Sequence, residues 1–445
     1  MFNPKHALLF VVICFLTATT VLAQKKSKSK PQDFGSSLKK LKWDPDRNET
    51  TSNTNTDRHS DTDDDVIHIE TSLVSSDFLV LDRQGIPVKG LAAADFVITE
   101  DNQIQPVGHF MLGSNNGLPR SIALIIDYSG SQFPYIQNSV DAAKVLIDKL
   151  GPRDRMALIT DDIEMLSDFT SNKVELKKKL DILIDRSKGK KGFLGLGNKG
   201  IRRGLSAQYS ALMATLNEAF ERDDQRPIVV FQTDGDEAKY LRNSIIVPHV
   251  PENLPPQWIP SAQANVEAEL KLQRDGMTEF SLEDVYRTVE KSRVTIYTVV
   301  PGPKFIGLSP NEQLVKIRAF DERATTEALP TLSKGAREAF KARDEARKRL
   351  TPPEALLYRA EENGKIQSAL VELSNISGGW IDFLETPEQA QAIYSRIFAD
   401  INERYIVGYY PAKKPRDGKR HKFDVQIKGH PEYTIVGRKF YYAPN

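Results

Sequence analysis

The chain has 445 residues, of which 40% are hydrophobic and 27% charged, and its formal net charge is +1. Such a composition is ordinary for globular material, and the length suits about two or three domains of roughly 150 residues each. The near balance of acidic and basic residues excludes a protein dominated by binding to nucleic acid or to an anionic membrane, because either would leave a basic footprint.

The first 23 residues have the layout of a signal peptide. Lys5 precedes an apolar run over residues 7–21, and Ala23 provides a small residue at a cleavage site. The run is too short to span a bilayer comfortably. The single cysteine, Cys14, lies inside it, so the mature chain would contain no disulfide and no thiolate site. We therefore expect an extracytoplasmic protein, periplasmic or secreted, without a transmembrane segment after the signal peptide is removed.

The segments that flank the middle of the chain differ from it in composition and in hydrophobic pattern. Residues 24–65 are rich in Lys, Ser, Asn, Thr and Asp and nearly lack apolar residues, which predicts a disordered polar leader. Residues 66–115 contain short β-type runs separated by turns, and residues 404–445 have the same character. We expect these two ends to pair into one β-sandwich that flanks the middle.

The middle of the chain, residues 118–403, alternates between apolar runs and amphipathic helical segments. The apolar runs are typical of buried strands and cover residues 121–127, 155–160, 227–233, 294–300 and 379–384. Helical patterns lie over residues 132–150, 172–185, 206–222, 281–292, 362–374 and 388–403. This alternation predicts an α/β domain with a doubly wound, mainly parallel sheet. Residues 237–280 and 302–360 interrupt it as two long insertions.

Polar residues follow two of the predicted strands. Asp127 ends the run over 122–126 and is followed by Ser129 and Ser131, and Asp234 follows the run over 228–233. Ser206 directly precedes a predicted helix, for which it is a candidate N-cap. Because ligands of open α/β sheets bind outside the carboxyl ends of the strands, we expect these side chains to share one rim.

The five side chains form an all-oxygen set of three hydroxyls and two carboxylates. Such a set suits Mg²⁺ or Mn²⁺, which take six oxygen ligands and commonly keep waters or leave a position open. Where neutral hydroxyls are the main ligands, the ion stays electrophilic. The sequence therefore predicts a cation site that binds an Asp or Glu carboxylate of a protein partner.

With this pattern, Asp127-x-Ser129-x-Ser131, Ser206 and Asp234-Gly235, the chain resembles von Willebrand factor A domains with a metal-ion-dependent adhesion site. It is more similar still to the secreted bacterial proteins called VWFA-related, abundant in acidobacteria. The further motifs that carry this resemblance are GIPVKGL at 85–91, LSDFT at 166–170, RYIVGYYP at 404–411 and YYAP at 441–444.

The resemblance implies a von Willebrand A, Rossmann-like fold and a role for each residue. Ser129 and Ser131 would coordinate the ion through their hydroxyls, Ser206 would take the usual threonine position, and Asp127 and Asp234 would bind directly or through water. The chain departs from the family at Tyr128 and Gln132, which replace a small polar residue and a frequent methionine. It departs again at Ser206, which lacks the methyl group that stiffens threonine.

Other chemistries fit the sequence less well. The run Gly195–Gly200 matches a dinucleotide fingerprint, but it follows a lysine-rich helical stretch and not a strand. The stretch around Ser129 lacks the glycine that a nucleophile elbow requires before its serine. We therefore predict a non-enzymatic binding protein of the adhesion type. The alternatives are an extracytoplasmic hydrolase that uses the same ion to activate water, and a scaffold that binds no metal.

Overall fold

A computed structural model describes residues 73–112, 119–132, 134–188, 206–220, 226–252, 254–331, 334–412 and 417–443. The predicted signal peptide, the polar leader and the glycine-rich run at 195–200 lie outside the described residues. The chain divides into two compact units, one over Leu118–Ala399 and one from the segments on either side of it. Among the described residues, no helix combines the length and the apolar character needed to cross a membrane.

The strands of the described residues are numbered here in chain order. They are β1 (Val74–Leu81), β2 (Phe96–Glu100), β3 (Gln103–Gln105), β4 (Val107–Leu112), β5 (Arg120–Ile126), β6 (Arg155–Thr160), β7 (Met165–Thr170), β8 (Arg226–Gln232), β9 (Thr295–Pro301), β10 (Ile381–Leu384), β11 (Tyr405–Tyr409), β12 (Arg420–Ile427), β13 (Thr434–Gly437) and β14 (Phe440–Tyr442).

The α-helices of the described residues are numbered in the same way. They are α1 (Ile136–Asp148), α2 (Lys173–Lys188), α3 (Gln208–Ala214), α4 (Ile259–Gly276), α5 (Leu282–Lys291), α6 (Pro310–Ala328), α7 (Lys334–Leu350), α8 (Pro353–Ser377) and α9 (Ala390–Glu403). One turn of π-helix, Thr215–Ala219, extends α3.

The larger unit is a mixed α/β structure around a six-stranded sheet. The strand order is β10-β9-β8-β5-β6-β7. All neighbours pair in parallel except β6 and β7, which are antiparallel. All five predicted apolar runs contain a strand. Strand β7 was not predicted, because its sequence, MLSDFT, is half polar and it lies at the edge of the sheet. Every residue of β5 and β8 is buried, which explains their continuous apolar sequence.

Helix boundaries follow local signals in part. Ser281 caps α5, since its hydroxyl accepts a hydrogen bond from the Asp284 N–H at 3.2 Å, and the Asp284 carboxylate accepts from the Ser281 N–H at 2.8 Å. Helix α8 begins at Pro353 and is longer than the predicted segment 362–374, so it starts inside the segment 302–360. Gly378 ends α8 in the left-handed conformation, with φ at +79°.

The smaller unit contains two four-stranded sheets, ordered β13-β1-β11-β4 and β14-β12-β2-β3. Each sheet combines strands from both ends of the chain, since β1 pairs with β11 and β2 pairs with β12. Side chains of both sheets share one core, which includes Phe78, Phe96, Tyr405 and Phe423. The last two strands belong to different sheets, because β13 pairs with β1 whereas β14 pairs with β12.

Candidate metal centre

Three aspartates lie at the carboxyl ends of adjacent strands. Asp127 follows β5, Asp161 follows β6 and Asp234 stands two residues after β8. Backbone bonds hold these ends in line: the Asp127 N–H donates to the Gln232 carbonyl at 3.0 Å, and the Asp161 N–H donates to the Ile126 carbonyl at 3.2 Å. Because the strands are parallel neighbours, the acids that follow them meet at one edge of the sheet.

Gly235 makes the turn that follows Asp234. Its φ is +73°, and a β-carbon at this position would lie 2.7 Å from Cγ2 of Ile366. Both the left-handed backbone and the close approach of α8 require glycine here. The pair Asp234-Gly235 therefore carries a structural requirement as well as a carboxylate.

The loop after β5 connects two of the hydroxyls to the acids. The Ser129 N–H donates to Asp127 Oδ1 at 2.8 Å. The hydroxyl oxygens of Ser129 and Ser131 lie 3.0 Å apart, and the Ser131 hydroxyl donates to Asp234 Oδ2 at 2.7 Å. The structure thus links four of the five predicted site residues through hydrogen bonds.

Ser206 lies at the same edge but is less engaged. It precedes Ala207, whose N–H donates to the Asp161 carbonyl at 2.8 Å. Within the described part of the chain, no hydrogen bond of the Ser206 hydroxyl is present. The expectation that Ser206 caps the following helix is wrong, since the N-cap of α3 is Ala207, which makes no side-chain cap bond.

Glu237 replaces the missing cap of α3 from a distant part of the chain. Its carboxylate accepts hydrogen bonds from the N–H groups of Tyr209 and Ser210 and, at 2.6 Å, from the Ser210 hydroxyl. These N–H groups belong to the first turn of α3, where no helical carbonyl is available to them. Glu237 therefore fixes the start of α3, and with it the backbone that follows Ser206.

Gln208 spans two of the acids. Its side chain is 1% exposed. The Nε2 group donates to Asp127 Oδ2 and, at 2.7 Å, to Asp234 Oδ1. Its Oε1 accepts from the Glu237 N–H at 3.2 Å. The two carboxylates are thus joined through one amide group.

Asp234 accepts more hydrogen bonds than Asp127. Besides Ser131 and Gln208, its donors are Gln132 Nε2 at 2.9 Å and the Asp236 N–H at 3.1 Å. Gln132 is 1% exposed, and its Oε1 has no hydrogen-bond partner within the described residues. A buried, unpaired carbonyl oxygen next to Asp234 adds a further electron-rich atom to the site.

The electrostatics of the site favour a cation. Burial raises the pKa of Asp127 well above its ordinary value, and the negative charges of Asp234 and Asp161 raise that pKa further. Burial, as the largest cause, also raises the pKa of Glu237 to about 7. Acids held this close in a dry site need a proton or a positive ion to offset their repulsion.

The distance between the two serine hydroxyl oxygens also equals the distance between adjacent ligands of Mg²⁺. Two adjacent ligands of octahedral Mg²⁺, each about 2.1 Å from the metal, are about 3 Å apart. The hydroxyl oxygens of Ser129 and Ser131 have this separation. Among the described residues, no group of three or more His, Cys, Asp and Glu side chains is arranged to hold a metal.

Tyr128 stands where the family that the sequence resembles has a small polar residue, and hydrogen bonds hold it at the rim of the site. Its hydroxyl donates to Asp162 Oδ2 at 2.9 Å, and its N–H donates to Asp161 Oδ1 at 3.3 Å. The side chain is half-buried. The tyrosine thus extends toward Asp162, in the turn between β6 and β7.

Sequence reasoning missed Asp161, Gln208 and Glu237. Asp161 had a signal, because the run over 155–160 ends in an acid just as the run before Asp127 does. Gln208 is one polar residue in an amphipathic pattern, and Glu237 belongs to a charged stretch after Asp234. For these two residues no local pattern indicates burial next to the site.

Comparison with known proteins gives weak similarities. No protein-family model and no curated protein matches the chain. Proximal thread matrix protein 1 from the mussel byssus matches at 11% identity and a TM-score of 0.30, over 66% of this chain and 49% of its own. This chain thus corresponds to about half the length of that protein.

Two further solved structures cover most of their own chains. The von Willebrand factor domain of the pilus tip protein Mfa5 from Porphyromonas gingivalis matches at 13% identity and a TM-score of 0.32, over 64% of this chain and 95% of its own. Manganese-loaded TRAP protein from Plasmodium vivax matches at 13% identity and a TM-score of 0.27, over 79% and 100%. At such identities and scores, the similarities define neither a family nor a function.

Proposed function

We propose that this chain is an extracytoplasmic, non-enzymatic binding protein that recognises a carboxylate on a protein partner through Mg²⁺ or Mn²⁺. The ion would be held by Asp127, Ser129, Ser131, Ser206 and Asp234. Residues 118–403 would form a von Willebrand A-type, doubly wound domain, and residues 66–115 and 404–445 would form a β-sandwich. The predicted signal peptide supports the location outside the cytoplasm.

The observation that carries the proposal is the convergence of Asp127, Ser129, Ser131 and Asp234 at one sheet edge. These residues are separated by up to 107 positions in the sequence, yet hydrogen bonds join them directly or through Gln208. The cluster combines a buried carboxylate of raised pKa with hydroxyls at the spacing of adjacent magnesium ligands. A divalent cation satisfies both features at once.

The position of the hydroxyls suits recognition of a partner. Ser131 is exposed and Ser129 is half-buried, whereas Asp127 is fully buried. A bound ion would therefore have the buried acid on its inner side and the neutral hydroxyls on the side that faces solvent. When bound, the ion supplies an electrophilic centre for a carboxylate, and the chain's own residues hold and orient it.

Hydrolysis is less well supported, although a group with a suitable pKa lies nearby. Glu237, whose pKa is about 7, would be the natural general base. Its carboxylate, however, accepts three hydrogen bonds from Tyr209 and Ser210 at the start of α3, so it is engaged there and not with the hydroxyls of Ser129 and Ser131. This engagement favours binding over hydrolysis.

Calorimetry tests the proposal. We would titrate MgCl₂ and MnCl₂ into the metal-stripped chain, with and without excess acetate as the carboxylate probe. We expect saturable binding that acetate tightens, and its loss in Asp127→Ala and in Asp234→Ala. Asp148→Ala removes an exposed carboxylate that pairs with Lys177, and it should bind the ions like the wild type.

Two results would overturn the proposal. Absence of ion binding by the wild type, both with and without acetate, would favour the metal-free scaffold. Metal-dependent hydrolysis of an ester or phosphoester that disappears in Asp127→Ala would instead favour the hydrolase. Circular dichroism of each variant shows whether a loss of binding reflects a loss of fold.

A further inference from the structure

The amide group of Gln208 occupies one oxygen of each acid in the proposed metal centre. We infer that Gln208 is a positioning residue that withholds Asp127 Oδ2 and Asp234 Oδ1 from the ion, so that tight ion binding depends on a carboxylate from outside the chain. This inference rests on the proposed function. In this inference, Gln208 is the residue that makes the affinity for the ion depend on the carboxylate of the partner.

The remaining oxygens of the two acids are also engaged. Asp127 Oδ1 accepts from the Ser129 N–H, and Asp234 Oδ2 accepts from the Ser131 hydroxyl and from Gln132 Nε2. Both oxygens of each carboxylate therefore have a hydrogen-bond donor. Each oxygen of Asp234 has two donors, since Oδ1 also accepts from the Asp236 N–H, so direct coordination by Asp234 requires that one of them give way. Each oxygen of Asp127 has one donor, so an ion would share that oxygen with the donor.

The orientation of the Gln208 amide is determined by its surroundings. A backbone N–H can only donate, so the atom that faces the Glu237 N–H must be the carbonyl oxygen Oε1. The NH₂ group must then face the two carboxylates, where each of its hydrogens has an acceptor. Because the side chain is buried, water does not readily replace these bonds.

The energies favour the hydroxyls as direct ligands. A hydrogen bond to a charged group is stronger than one between neutral groups, and a buried donor left without an acceptor destabilises the folded chain. An ion that took Asp234 Oδ1 directly would break such a bond, and an ion that took Asp127 Oδ2 would share this oxygen with the Gln208 amide and repel its partly positive hydrogens. The hydroxyls of Ser129 and Ser131 carry no charge, so an ion bound mainly to them keeps most of its positive charge for an incoming carboxylate. Ion and carboxylate then strengthen each other's binding.

Replacing Gln208 by methionine tests the inference. Methionine has a similar length and shape but no amide donors, so Asp127 Oδ2 loses its donor and Asp234 Oδ1 keeps only the Asp236 N–H, which opens a lone pair on each acid to the ion. We expect Gln208→Met to bind Mg²⁺ at least about tenfold more tightly in the absence of acetate, because each carboxylate ligand adds charge to the site. Acetate should then tighten Mg²⁺ binding much less than it does in the wild type.

The matched control removes a buried glutamine amide elsewhere in the same unit. Gln367 is 5% exposed, accepts a hydrogen bond from the Phe305 N–H at 2.8 Å and donates to the Pro303 carbonyl at 2.8 Å. Gln367→Met should lose stability but keep the wild-type Mg²⁺ affinity and acetate effect. If Gln208→Met does not fold, Gln208→Asn is used instead, because its shorter side chain cannot span both acids.

The possible results separate the two claims. A folded Gln208 variant that binds Mg²⁺ like the wild type, or more weakly, overturns the role of Gln208 and leaves the proposed function intact. A wild type that binds Mg²⁺ only when acetate is present, beside a Gln208 variant that binds it without acetate, would uphold the inference in its strongest form. Absence of binding in both proteins, with and without acetate, would overturn the inference together with the proposed function.

Discussion

Replacing Glu237 by glutamine should change how the stability of the protein depends on pH. Burial raises the pKa of this carboxyl from its ordinary 4.5 to about 7. The folded chain therefore binds the proton more tightly than the unfolded chain. Glu237 favours the folded state most below pH 4.5, and this contribution is lost as the pH rises to 7. Since a factor of ten in proton affinity is worth about 1.4 kcal/mol, the loss amounts to about 3 kcal/mol.

Glutamine can keep the contacts of Glu237 without the charge. Its carbonyl oxygen accepts from the N–H groups at the start of α3, and its NH₂ group donates to the Ser210 hydroxyl, which reverses one bond. Glu237→Gln should therefore fold. The free energy of unfolding of the variant, relative to that of the wild type, should rise by about 3 kcal/mol between pH 4.5 and pH 8.

Urea unfolding followed by tryptophan fluorescence, with chelator present, measures this difference. Glu283→Gln removes an exposed glutamate, with 82% of its side chain accessible, and should follow the wild type at every pH. Parallel pH profiles of Glu237→Gln and the wild type would refute the reasoning. They would mean that the hydrogen bonds of the helix start hold Glu237 ionised despite its burial.

Two predictions concern the packing of the larger unit. Gly379→Ala should destabilise the protein by about 3 kcal/mol or more in thermal or urea unfolding, because the added carbon would lie 2.0 Å from the Ile296 carbonyl oxygen. Gly364 lies inside α8, and a β-carbon added there would meet nothing within 4 Å, so Gly364→Ala should instead raise the free energy of unfolding by about 0.5–1 kcal/mol. Equal effects of the two substitutions would contradict the packing argument. Arg120→Met should cost about 3–5 kcal/mol, since it leaves the buried Asp154 without its cation, and a double-mutant cycle with Asp154→Asn should recover much of that cost.

The sequence alone indicated where two strands end and which acidic residues follow them. An apolar run and the acid that stops it are contiguous, so Asp127 and Asp234 could be recognised without knowledge of the fold. The α/β class followed from the alternation of such runs with helical patterns. Short, polar or edge strands carry a weaker signal, which is why β3, β4 and β7 were not predicted.

Only the tertiary structure decided which side chains meet at the site and what their surroundings do to them. Gln208 reaches Asp127 across 81 residues, and Ser131 reaches Asp234 across 103. No local pattern encodes such contacts, because they depend on the order of strands in the sheet. The raised pKa values of Asp127 and Glu237 likewise arise from burial, and burial is a property of the packed chain and not of the residue type.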